Sequence, residues 1–88
     1  MIRKHIVFHG SVQGVGFRYR ARHAAEMYRC TGWAKNEWNG TVSMEIQGEE
    51  AAIDRVILSI QGGRYVGITK MEVKSLSVVL DERGFRTM

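Results

Sequence analysis

The chain has 88 residues, 44% apolar and 25% charged, enough for one globular domain over residues 1–88, too few for two and too apolar for a disordered tail. A net charge of +4 suits an anionic ligand or a nucleic acid without choosing between them, and a single cysteine, Cys30, excludes an internal disulfide and makes the cytoplasm the expected setting. No apolar run approaches the roughly 20 residues of a membrane span, and "MIRKHIVFHG" has too short an apolar segment for a secretory signal, so no membrane contact is expected.

Residues 2–9 alternate, with Ile2, Ile6 and Phe8 on one side, and read as a strand. "GSVQGVGFR" follows, a loop with three glycines. From Phe17 to Thr31 the spacing becomes helical, with Phe17, Ala21, Ala24 and Tyr28 on one stripe and Gly32 as the stop. Asn39-Gly40 signals a type I′ hairpin. It joins a strand over 33–38 to a half-buried strand in which Val42, Met44 and Ile46 alternate with polar residues.

"GEEAAIDRVILSIQGG" is the second predicted helix. Glu49 and Glu50 suit the positive end of its dipole. Ala52, Ile53, Val56, Ile57 and Ile60 form its apolar face, and Gly62-Gly63 ends it. Residues 68–80 read as a strand whose phase changes near Ser75, as at a bulge. "FRTM" after Gly84 is a weakly signalled edge strand. The order βαββαβ predicts an α+β, ferredoxin-like split βαβ sandwich: an antiparallel sheet with two helices on one face.

The glycine-rich loop leads from a strand into a helix. Successive main-chain N–H groups can gather there as a nest, and the helix start adds unpaired donors and partial positive charge. Arg18 falls in the first helical turn, where its guanidinium can make two parallel bonds to a phosphate. A purely structural turn with a solvated Arg18 is the alternative. No G-x-x-x-x-G-K-[ST] is present, and Tyr19 stands where a dinucleotide fingerprint needs its third glycine.

Two stretches together resemble the acylphosphatase family. "GSVQGVGFR" matches the pattern G-x-V-Q-G-V-x-F-R. "GWAKNEWNGTV" matches G-W-A-K-N-x-x-x-G-x-V, with Gly48 following after a gap. The close match runs from Gly10 to Gly48. Two features depart from the family: "GGRYVG" lacks a proline after the second helix, and "FRTM" only loosely resembles the last strand.

The resemblance implies metal-independent hydrolysis of the carboxyl–phosphate bond of an acyl phosphate, with no cofactor. It implies a phosphate cradle from Gln13, Gly14, Val15, Gly16, Phe17 and Arg18, with Arg18 catalytic and Asn36 positioning the attacking water. Phosphate or sulfate would fit the loop, and a monomer is expected.

A tight turn at Asn39-Gly40 makes facing residues sum to 79. Trp33 and Lys35 then lie on the helix side, and Asn36 points to the opposite face; a three-residue turn would reverse this. His5, His9 and His23 do not have metal-ligand spacing, and His9 reads as an ordinary strand-end residue. Arg18, Arg22 and Arg29 share a stripe that reads as a solvated basic face. Trp33 is expected in the core and Trp38 at the surface, where it could flank substrate. Cys30 is expected to pack as a small apolar residue.

Two other function classes compete. A non-catalytic module could bind acyl or carbamoyl phosphate; domains resembling this one also occur inside larger carbamoyl-transferring proteins. An RNA-binding ferredoxin-like domain would need exposed aromatics on adjacent central strands. "VGFRYR" instead lies at a helix start, so no nucleic-acid partner is expected.

Overall fold

The alternating and helical patterns fold into one sheet with both helices on the same side. The computed structural model describes residues 1–88. Its elements are β1 (Ile2–Ser11), α1 (Phe17–Met27), β2 (Thr31–Asn36), β3 (Val42–Gly48), α2 (Glu50–Gln61), β4 (Gly67–Leu76) and β5 (Phe85–Thr87). The sheet order is β4-β1-β3-β2-β5. The first four strands pair antiparallel, giving the expected ferredoxin-like βαββαβ frame. β5 adds a short parallel edge beside β2, so the sheet is mixed.

The helix-covered face is apolar because alternation in β1 and β3 has the same phase. Ile6 pairs with Met44, and both are fully buried, as are Phe8, Val42 and Ile46. Ala21 and Ala25 of α1 and Ile53, Val56 and Ile60 of α2 close over them with no exposed surface. Each large side chain so buried contributes about 1.5–3 kcal/mol. No helix is long and apolar enough to cross a membrane.

The opposite face carries polar side chains. On the central strands these are Arg3, His5 and His9 of β1 and Ser43, Glu45 and Gln47 of β3, with no Phe, Tyr or Trp among them. Arg3 is only 3% exposed. It donates to Glu45, to Gln47 and, through Nη1 and Nη2, to both oxygens of Glu82. Gln47 also holds Val79 through its N–H and its carbonyl. Residues 77–84 are thereby strapped across one end of this face and delivered to β5. These contacts raise Arg3, with the Glu82 hydrogen bond outweighing the opposing effect of burial. Burial pushes the Glu82 carboxyl up, but hydrogen bonds from Arg3 and Thr31 and the charges of Arg3 and Arg86 win and hold it below its ordinary value.

Several sequence expectations shift. α1 ends at Met27 rather than Thr31, because Arg29 takes a left-handed φ of 59° and the Cys30 N–H closes onto the Ala25 carbonyl. Arg29 therefore leaves the basic stripe. Gly32 lies inside β2, not at a helix end. The β4 strand stops at Leu76, and the ladder irregularity falls between His9 and Gly10 instead of near Ser75.

The hairpin also differs. Glu37 N–H bonds the Thr41 carbonyl and Gly40 N–H the Glu37 carbonyl, so the turn has three residues, with Gly40 left-handed at φ 91°. Asn39 is not left-handed; its Oδ1 accepts from the Thr41 N–H and hydroxyl. Facing residues sum to 78: Ala34 meets Met44 and Asn36 meets Val42. This one-residue change flips β2. Ala34 takes the core position expected of Trp33, and Trp33 turns to the open face, edge-on to His5 at 6.0 Å.

Candidate active site

The 12–18 segment is anchored by buried residues at both ends and is open beside its two glycines. Val12 and Phe17 are buried, and Phe17 packs edge-on against Phe8 with ring centroids 4.8 Å apart. Between them Gly14 (φ 70°) and Gly16 (φ 80°) adopt left-handed conformations that L side chains rarely take. A Cβ at either would meet nothing within 4 Å. The glycines thus serve backbone shape, not close packing, and leave open space beside the main chain.

Gly16 is the N-cap of α1, whose first turn has no side-chain cap and no acidic residue. The first bond into the helix runs from Arg20 N–H to the Gly16 carbonyl. The leading amides and the dipole thus face the loop without a competing carboxylate.

A cavity of about 180 Å³ opens at this point, lined by Val12, Gly14, Gly16, Phe17, Arg18, Tyr19 and Asn36. Arg18 is its only charged residue. The guanidinium donates through Nη1 to the Met88 main-chain carbonyl at 2.8 Å, and Met88 N–H bonds the Ala34 carbonyl. Asn36 reaches the cavity from the end of β2. Its amide oxygen is buried and has no hydrogen-bond partner. A buried acceptor left unpaired costs about 1–3 kcal/mol.

The expected site residues divide into two groups. Gly14, Gly16, Phe17, Arg18 and Asn36 share the cavity. Asn36 does so from the helix-covered side, reversing the orientation expected from a two-residue turn. Gln13 and Val15 are not on its wall. Gln13 sends both amide hydrogens the other way, to the Glu37 carbonyl at 2.6 Å and the Thr41 carbonyl at 2.9 Å. It braces the loop against the hairpin that carries Asn36. Val15 packs against the core.

The sequence reading missed Tyr19 and the Met88 carbonyl. Tyr19 adjoins Arg18 and could have been suspected; the Met88 contact spans 70 residues and has no local signal. His9 pairs with Glu72 at 2.7 Å on the open face. Trp38, 98% exposed at the hairpin tip, does not line the cavity. No three His, Cys, Asp or Glu side chains converge as a metal-binding set.

The acylphosphatase family model matches residues 4–87. An acylphosphatase of Geobacillus kaustophilus is 42% identical, over 100% of this chain and 95% of its own. A crystal structure of Bacillus subtilis acylphosphatase superposes with a TM-score of 0.90 at 28% identity, covering 100% of this chain and 99% of that one. Full-length HypF, in its phosphate- and nucleotide-bound form, superposes with a TM-score of 0.86 at 28% identity over 99% of this chain and 12% of its own.

Proposed function

The chain belongs to the acylphosphatase family and hydrolyses acyl phosphates, and from that premise we propose that the cavity between Arg18 and Asn36 is where the carboxyl–phosphate bond is broken. The loop at Gly14 and Gly16, the first amides of α1 and Arg18 form the phosphate cradle. Gln13 and Val15 belong to it as supports, through the brace to the hairpin and the contact with the core. Asn36 aims the attacking water.

The chemistry needs little more. The departing carboxylate has a conjugate-acid pKa of about 4, so at neutral pH it leaves without a proton and no general acid is required. Phosphoryl transfer through a loose transition state asks for an in-line water and for stabilisation of charge on the equatorial oxygens. Arg18 and the amides supply the stabilisation. The Asn36 carboxamide, with an acceptor and donors, takes a water O–H on its unpaired oxygen and turns a lone pair toward phosphorus. Neither task calls for a metal ion, and we infer metal-independent turnover without a cofactor.

The observation that carries this reading is that Asn36, whose amide oxygen has no hydrogen-bond partner, lines the same cavity as Arg18. Inorganic phosphate or sulfate should occupy the cradle as a competitor. The single buried cysteine supports a reducing compartment such as the cytoplasm, and we take residues 1–88 as one domain acting as a monomer. The test is hydrolysis of benzoyl phosphate with a chelator present. Full turnover is expected, and Arg18→Ala should lower it about 10²–10³-fold with the circular dichroism unchanged. Normal turnover by that variant would overturn the assignment.

A further inference from the structure

Resting on the site assignment above, we propose that the groove between the α1 N-terminus and α2 is an acyl-tail subsite that favours acyl phosphates carrying a second anionic group, a carboxylate or a further phosphate.

This second cavity, of about 280 Å³, is lined by Gly16, Tyr19, Arg20, His23 and Ser59. It shares Gly16 and Tyr19 with the cradle, so the two are contiguous across one rim. Asn36 lines the cradle and is absent from the groove. In-line displacement places the nucleophile and leaving group on opposite sides of phosphorus. With water held at Asn36, the acyl tail departs away from that residue, over the Gly16–Tyr19 rim.

The groove's chemistry selects the tail. Tyr19 is the only large apolar surface in it, and its ring lies nearly parallel to His23, 14° between planes. No carboxylate lines the wall. Arg20 has no acidic partner; its Nη1 donates to the Ser59 main-chain carbonyl at 3.0 Å, fixing the guanidinium between the two helices. Its stem fills the space beside Gly63, where a Cβ would come within 2.9 Å of Arg20 Cδ. A held, unneutralised cation beside a flat ring suits a planar acyl group with a negative charge beyond it and offers little to an aliphatic chain.

The test compares kcat/KM, each divided by the uncatalysed hydrolysis rate of the same compound, for benzoyl phosphate, 3- and 4-carboxybenzoyl phosphate, 4-phosphonobenzoyl phosphate and the neutral 4-carbamoylbenzoyl phosphate. The unaltered protein should prefer an anionic tail over the carbamoyl analogue by about three- to fivefold at low salt, less at high salt. The arm preferred most separates a carboxylate from a second phosphate. Arg20→Gln, and independently Ser59→Glu, which keeps the main-chain bond to Arg20, should abolish the preference while benzoyl phosphate turnover is kept. Equal kcat/KM for charged and neutral tails, or a preference surviving both variants, would overturn the subsite alone. Absence of turnover on every substrate would overturn the site assignment and the subsite with it.

Discussion

Arg18 Nη1 donates to the main-chain carbonyl of Met88, 2.8 Å away and 70 residues along the chain. Met88 is itself held, because its N–H bonds Ala34 beside the core. The parallel β5 edge therefore does more than close the sheet. It fixes one corner of the guanidinium, and in the proposed site the other N–H donors would meet phosphate with the side chain already ordered. Truncation after Thr87 should lower kcat/KM about tenfold, chiefly through KM, and weaken competitive inhibition by phosphate, as expected for one lost hydrogen bond to a charged group. Unchanged phosphate inhibition would show that Met88 does not position Arg18.

Gln13 makes a comparable link from the loop to the hairpin. Its amide bridges to Glu37 and Thr41 at the ends of the turn beyond Asn36. Gln13→Ala should cost about 2 kcal/mol of stability for two hydrogen bonds, visible in urea unfolding. In kinetics its effect should depend on Asn36: a clear loss of kcat in the native background, and much less in Asn36→Ala. A double-mutant cycle measures this coupling, and additive losses would refute the brace.

Acid should loosen the strap over residues 77–84. Glu82 has its carboxyl held below the ordinary value of 4.5 once the hydrogen bonds and charges that oppose burial are counted. The sign follows from linkage: its stabilisation is fully present above the unfolded pKa and fades as pH falls through the lower folded value. Stability should therefore decline below about pH 4.5, and Glu82→Gln should flatten that decline. Denaturant midpoints from pH 3 to 7 give the comparison.

Cys30 should be inert in the native protein. Burial pushes its thiol up to about 11, so at neutral pH the reactive thiolate is scarce. A disulfide-exchange reagent at pH 8 should label it only at the rate of unfolding. The stability associated with the protonated thiol persists below the unfolded value, near 9.0, and is lost as pH rises toward the folded one. Rapid native labelling would contradict the buried placement.

Family, activity and fold class were legible in the sequence because their signals are local. Positive φ at Gly14 and Gly16 is a property of single residues. The apolar phases of β1, β3 and the helices depend on near neighbours, and the loop and "GWAKN" motifs are contiguous strings. What the sequence could not decide was which way Asn36 points. Two-residue and three-residue turns at Asn39-Gly40 are both compatible with the string. Burial of Ala34 against Met44, with the left-handed Gly40, chooses the latter and brings Asn36 onto the cavity wall. The Gln13 brace and the Met88 contact arise in the same way, through main-chain carbonyls that have no residue-type signature. Such groups become partners only after the sheet has set their register, so tertiary structure alone joins Arg18, Asn36 and Met88.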